Sequence, residues 1–341
     1  MPVMIARTAS VGLALLISAI IAGCTDSPDV AEVRRSREVM GTFAEVTAIA
    51  AGGAAAEAAV EAAYARLDDV NRLMSDYRED SDIGRLNRLP VGEDLTVSPE
   101  TFHVLEQAVR FGELTGGAFD VTYRPLKGVW KQAAKQKELP DEATLAEALA
   151  KVGWRKLKLA AGNRAVSRAV EGLEVDLGGI AKGYALDLAA EALRKAGATA
   201  GLVNVGGDIV GFGRQKDGTP WRVGVRHPFR QALFCKLKIE DRAVATSGVQ
   251  QRFFEIDGRR YSHIIDPRTG RPAEQAPSVT VIAPDGLTAD AWATACSVLA
   301  VEEGQRLIEA APGVEVLWIW GTPEEPRTTR TSGFDRFLLQ E

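Results

Sequence analysis

Apolar positions along the chain fall into two periods. From Ala54 to Met74 they recur every three or four residues, with Val60, Leu67, Val70 and Met74 on one stripe, which predicts a long amphipathic helix. Ser98-Pro99-Glu100 reads as a helix start, and Phe102, Leu105 and Val109 carry that helix to about Gly112. Lys131 to Lys151 is polar and helical, a surface excursion. Tyr184, Leu188 and Leu193 mark a further helix ending near Gly197, and Thr288 to Leu299 is a small, apolar helix. Strand patterns occur at Phe43 to Ile49, Lys156 to Ala160, Arg164 to Arg168, Leu173 to Leu177, and Gly201 to Val205. They continue at Trp221 to Val225, Leu233 to Ile239, Ser278 to Ala283 and Val314 to Trp320. Phe253 to Ile256 and Tyr261 to Ile265 flank an Asp257-Gly258 turn and form a hairpin. Helices and strands alternate with adjacent strand pairs and without an internal linker. The fold class is therefore α+β, in one unit.

The N-terminus stands apart from this pattern. Arg7 precedes an apolar run from Val11 to Ala22, about half a membrane span and the size of a signal segment. It ends in Ile21-Ala22-Gly23-Cys24, which resembles a bacterial lipobox. That resemblance implies cleavage before Cys24 and lipidation of that cysteine. Residues 1–23 are then a signal peptide, 24–38 a polar tether, and 39–341 the folded domain. Of 341 residues, 46% are hydrophobic and 26% charged, ample for a core, and the net charge of -5 argues against nucleic acid as a partner. Cys235 and Cys296 lie in apolar surroundings and read as buried free thiols; three histidines and no paired cysteine spacing leave no zinc signature.

The chemistry concentrates where glycine pairs meet acids. Asp176-Leu-Gly-Gly-Ile-Ala-Lys182-Gly183 joins an acid, two glycines and a lysine at a helix start, half of a nucleotide site. Gly116-Gly117-Ala118-Phe119-Asp120 and Gly206-Gly207-Asp208 repeat the glycine-acid signature, although Asp120 equally suits a turn cap. Asp290 and Thr294 are four apart on one helical face, a carboxylate and hydroxyl suited to a hard cation such as Mg²⁺. His263 is a general-base candidate or a structural histidine, and Tyr77 follows a helix among polar neighbours as a partly exposed ring.

In order, Met40-Gly-Thr42, Ser75-Asp-Tyr77, Gly117-Ala-Phe-Asp120, the Asp176 to Asp187 stretch, Asn204-Val-Gly-Gly-Asp208, Thr246-Ser-Gly248, His263-Ile-Ile-Asp-Pro-Arg-Thr-Gly270 and Ala289-Asp290 to Thr294 resemble the ApbE family of FAD:protein FMN transferases. The resemblance spans Met40 to Leu299. It implies paired α/β halves with FAD between them. It also implies Mg²⁺-dependent transfer of FMN from FAD, through phosphate, to a Thr or Ser of a target protein, with AMP released. On this resemblance Met40, Tyr77, Ala118, Phe119, Asp120, Asp176, Lys182 and Ile264 line the FAD site. Asp290, Thr294 and a backbone carbonyl at Gly179 (or Ala181) hold the metal, and His263 or Asp290 is the base. In the family, some relatives with another residue at the Tyr77 position hydrolyse FAD to FMN and AMP, so the resemblance implies that tyrosine here favours retention of FAD for transfer. Implied targets are membrane redox subunits of the Nqr, Rnf or nitrous-oxide-reduction regulator types. The implied location is the periplasmic face of a bacterial membrane, with the inner membrane favoured by those targets, although Thr25 stands where aspartate usually signals retention there. The competing readings are an FAD pyrophosphatase and a non-catalytic FAD-binding lipoprotein.

Overall fold

The computed structural model describes residues 30–248, 253–274 and 276–340. The signal segment, Cys24 and the first residues of the tether lie outside the described residues.

Strands β1 (Val30–Val39) and β2 (Thr42–Ala51) form an antiparallel hairpin in continuous register. Its turn residues, Met40 and Gly41, both have positive φ, 53° and 68°, as a tight type I′ hairpin requires. Residues 30–38 are thus not tether but an edge strand. Their alternation is hidden in the sequence by Arg34, Arg35 and Arg37, which sit on exposed surface and pair with Glu45, Glu57 and Glu61. Helix α1 (Gly53–Met74) buries the expected stripe, and the Tyr64 hydroxyl donates to the carbonyls of Arg35 and Ala44, pinning helix to hairpin.

A short helix α2 (Asp82–Arg88), capped by Ser81, escapes the sequence pattern. Strand β3 (Leu95–Thr96) precedes α3 (Pro99–Leu114), which Ser98 caps by accepting from the Thr101 N–H. Helices α4 (Arg124–Gln136) and α5 (Glu142–Leu149) replace the expected surface excursion. Leu126, Trp130, Ala133 and Ala148 bury there with Ile256 and Ile265 in a small core of their own. Strands β4 (Leu157–Ala160) and β5 (Ala165–Arg168) join β3 in a small sheet. Leu173 to Leu177 does not become a strand. Its backbone bonds elsewhere: Val175 exchanges two hydrogen bonds with the Asn87 side chain, and the Asp176 N–H donates to the Val121 carbonyl at 2.7 Å.

Helix α6 (Ala181–Lys195) leads to β6 (Ala200–Val205) and β7 (Asp208–Phe212). Strands β8 (Trp221–Arg226) and β9 (Leu233–Ile239) pair as a separate hairpin. Next come β10 (Arg242–Gly248) and the hairpin of β11 (Phe253–Ile256) and β12 (Arg259–Ser262). The chain closes with β13 (Ser278–Ala283), α7 (Gly286–Val298), α8 (Val301–Glu309), β14 (Glu315–Gly321) and β15 (Pro326–Arg330). Eight strands form the main sheet in the order β1-β2-β6-β7-β10-β13-β14-β15, antiparallel throughout.

Alternation along these strands feeds two cores. Val46, Val203, Val279 and Val281 face α1, α6 and α7 in the main core. Ile49, Ile209, Val244 and Ile282 turn to the other side and pack against Trp221, Val223 and Leu237 of the β8–β9 hairpin. The class is α+β, as the sequence predicts. Cys296 is a buried free thiol as expected, whereas Cys235 is only half-buried on that outer hairpin.

Helices α6 and α7 touch backbone to backbone. A Cβ added at Gly183 would lie 2.1 Å from the Gly286 carbonyl oxygen and 2.8 Å from Asp290 Cβ. Gly183→Ala is therefore expected to lower stability by about 3 kcal/mol through overpacking, read by denaturant unfolding. A loss below about 1 kcal/mol would mean that the helices separate without penalty.

Candidate active site

The stretch from Asp176 to Lys182 links two groups of polar side chains. At its start, Asp176 Oδ1 accepts from the Gly178 N–H at 2.8 Å, a local turn that the aspartate–glycine spacing favours. Its other oxygen receives Lys127 and, at 3.3 Å, the Tyr123 hydroxyl. The Leu177 carbonyl then accepts from the N–H groups of Ile180 and Ala181, turning the chain into α6. Between these points, Gly179 brings bare backbone against Thr294: a Cβ there would sit 2.9 Å from Thr294 Oγ1.

At the far end of the stretch, Lys182 Nζ donates to Asp208 Oδ2 and, at 3.1 Å, to Asp290 Oδ1. Asp290 Oδ2 accepts from the Gly183 N–H at 3.0 Å. Asp208 Oδ1 accepts from the Thr246 N–H at 3.1 Å, and the hydroxyls of Thr246 and Thr280 lie 3.0 Å apart. The close α6–α7 crossing makes this cluster possible, since a side chain at Gly183 would push Asp290 away. Burial disfavours the charged form of Asp290 and, despite Lys182, with Asp208 adding repulsion, raises its pKa to about 6. Burial opposes the charge on Lys182, but the two carboxylates outweigh it and raise its pKa.

The donor set fits a hard cation. Asp290 offers a buried carboxylate, Thr294 a hydroxyl one turn on, and Gly179 approaches that hydroxyl with its backbone. Among the described residues no group of three or more His, Cys, Asp or Glu side chains suits a metal. A cation here would take one carboxylate and complete its shell with other oxygens.

The second group surrounds Tyr77, whose ring is 74% exposed in the turn after α1. Lys127 Nζ and Lys131 Nζ lie 6.0 and 5.7 Å from its centroid. Arg124 binds Asp76 at 3.0 Å and also Glu174. These α4 cations border a cavity of about 490 Å³ beside Asp76 and Glu174. Lys127, through Asp176, ties this group to the central stretch.

The remaining candidates lie on three other segments. The Met40 turn lies beside the Gly206 turn, whose N–H donates to the Phe43 carbonyl at 3.0 Å, so Met40 approaches the loop that carries Asp208. Ala118 and Phe119 are buried, with Phe119 against Phe111 and Phe111 against Trp292 of α7. Asp120 accepts from the Thr122 N–H and hydroxyl and from the Trp154 N–H, the turn role that its spacing allows. Burial raises its pKa despite those bonds. His263 and Ile264 follow β12, both half-buried. Their corner is held by Arg268 on Asp266 and by the Trp130 N–H on the Gly270 carbonyl at 2.8 Å.

Three residues gain a part that the sequence alone did not assign them. Asp208 is the second partner of Lys182; its signal was the acid directly after a glycine pair. Asp187 accepts from the N–H groups of Gly286 and Leu287 at 2.6 and 2.9 Å, clasping the start of α7, and burial raises its pKa to about 7. Lys127 sits in a stretch with no local motif, and nothing in the sequence points to it.

The model of the ApbE family matches residues 40–318. The chain is 36% identical over 334 residues to the FAD:protein FMN transferase of Vibrio cholerae, covering 96% of this chain and 98% of that protein. Its fold resembles the solved structure of the flavin transferase ApbE from Vibrio cholerae with a TM-score of 0.80 and 33% identity, over 91% of this chain and all of that one. The ApbE protein from Thermotoga maritima gives a TM-score of 0.81 at 31% identity, again over 91% of this chain and all of the other.

Proposed function

The chain belongs to the ApbE family, and from that premise we propose that it moves FMN from FAD to a Thr or Ser hydroxyl of a target protein, with Mg²⁺ and with release of AMP. The observation that carries this reading is that Asp290 bonds to Lys182 and the Gly183 N–H while Thr294, one turn on, meets the bare backbone of Gly179.

In this reaction the acceptor oxygen bonds to the phosphorus of the FMN half, and the pyrophosphate bond to AMP breaks. The acceptor loses its hydroxyl proton, and AMP leaves with the bridging oxygen. Asp290, Thr294 and the Gly179 carbonyl would hold Mg²⁺. When bound, that ion supplies charge neutralisation on the pyrophosphate and stabilises the leaving phosphate. Lys182 adds a fixed positive charge at the same place. The exposed ring of Tyr77 is suited to stacking on the flavin, with Met40, Ala118, Phe119 and Ile264 as apolar lining and Asp120 and Asp176 as polar lining. His263 takes the acceptor proton. Asp290 is the weaker candidate, since its carboxylate is the one proposed to hold the cation.

The proposed anchor at Cys24 would hold the protein at the periplasmic face of a bacterial membrane, where the proposed acceptor is a flavin domain on a membrane-bound target of the Nqr, Rnf or nitrous-oxide-reduction regulator type.

The test is mass spectrometry of a periplasmic flavin-domain fragment incubated with the protein, FAD and Mg²⁺, with and without EDTA. A Mg²⁺-dependent gain of one FMN on Thr or Ser, with AMP released, is expected. Free FMN and AMP without adduct, on two different acceptors, would replace transfer by hydrolysis. FAD bound without any AMP would favour a flavin-storage protein.

A further inference from the structure

Lys182, Asp208 and Asp290 form a nearly enclosed triad. The side chains are 28%, 9% and 5% exposed. One ammonium faces two carboxylates, so the triad carries one net negative charge. Each carboxylate is oriented by a backbone N–H as well as by the lysine: Asp208 Oδ1 by Thr246, Asp290 Oδ2 by Gly183. The oxygen that Asp290 shares with Lys182 is Oδ1, at 3.1 Å. A divalent cation reaching Asp290 beside Thr294 therefore meets a lysine already bonded to the same carboxylate.

Like charges at such a separation repel strongly where little water screens them. With Asp208 present, the lysine has a second carboxylate to stay with when the cation arrives. Without its charge, Lys182 and Asp290 would form a neutral pair, and the cation would bring two uncompensated positive charges beside a buried carboxylate. We propose that Asp208 is a positioning residue that keeps Lys182 from closing the Asp290 carboxylate to a divalent cation. This rests on the reading of Asp290 and Thr294 as the cation site, and adds that the affinity of that site is set by a carboxylate that does not itself bind the ion.

The experiment is Mn²⁺ titration of the full chain without FAD, followed by the loss of the free-ion electron paramagnetic resonance signal. Asp208→Asn keeps the Oδ1 acceptor for Thr246 and removes the charge. It is expected to weaken Mn²⁺ binding about tenfold or more. Adding Lys182→Met to that variant removes the competitor and is expected to restore affinity to within about threefold of wild type. Lys182→Met alone is expected to bind Mn²⁺ at least as tightly as wild type. Wild-type affinity in Asp208→Asn would overturn the proposal. So would a double variant as weak as Asp208→Asn, because Asp208 would then act on the ion or on the fold directly. Looser binding by Lys182→Met alone would overturn it too, and this arm stands even if Asp208→Asn fails to fold. A wild-type protein that takes up no Mn²⁺ removes the cation reading itself, and the proposal with it.

Discussion

Asp290→Ala is expected to lower FMN transfer by about 10³-fold or more, with FAD still bound. The carboxylate is the only charged group in the proposed ion site that the cation would touch, so its loss removes the anchor around which pyrophosphate charge is neutralised. The fold should tolerate the change. Lys182 keeps Asp208 as a partner, and the one N–H left without its acceptor, that of Gly183, costs about 1–3 kcal/mol. FAD retention follows because Tyr77 and the α4 cations stand apart from Asp290 along the central stretch. Single-turnover AMP release measures the first quantity and flavin fluorescence on binding the second. Asp290→Asn separates fold from charge, since its amide oxygen can still accept from Gly183; it should fail in turnover as Asp290→Ala does. Normal AMP release by either variant with Mg²⁺ present would remove the metal assignment.

His263→Ala is expected to slow transfer by about 10²–10⁴-fold, the usual contribution of a positioned general base, while FAD affinity changes only a few-fold. Imidazole titrates near neutrality and so can take the acceptor proton at working pH. The alternative base, Asp290, is the carboxylate that would hold the cation, and a bound cation would lower its tendency to accept a proton. His263→Gln keeps a polar side chain of similar reach but no basic nitrogen, and should behave as His263→Ala does. Parallel losses of transfer and of FAD binding would make His263 a binding residue and return the role of base to Asp290.

Local patterns located most elements because period and capping act within a few residues. The α1 stripe, the Ser98-Pro99 cap, the Asp257-Gly258 turn and the β13–α7 succession are all local devices, and each stands where the pattern puts it, although the second hairpin strand is Arg259–Ser262 rather than Tyr261 to Ile265, because pairing starts directly after the turn. The failures share a cause. β1 was hidden because its arginines pair across to β2 and α1, partners that sequence distance conceals. Leu173 to Leu177 carries strand residues, but its backbone bonds to Asn87 and Val121 compete with pairing. The 131–151 stretch looks polar because the residues that bury it, Ile256 and Ile265, arrive more than a hundred positions later.

The same division holds at the site. The sequence by itself determined which residue types are present, in glycine–acid motifs specific enough to identify the family, and it determined that Asp290 and Thr294 share a helical face. Only the tertiary structure decided that Gly183 and Gly286 bring two helices into backbone contact, and that Lys182 thereby meets Asp290. It alone showed that Asp208 is the second partner of that lysine and that Lys127 links Asp176 to Tyr77. Spacing along a chain governs contacts within one helix or turn. Contacts between α6, α7 and β7 depend on packing distances that a side chain of one more carbon would abolish, and no local pattern records them.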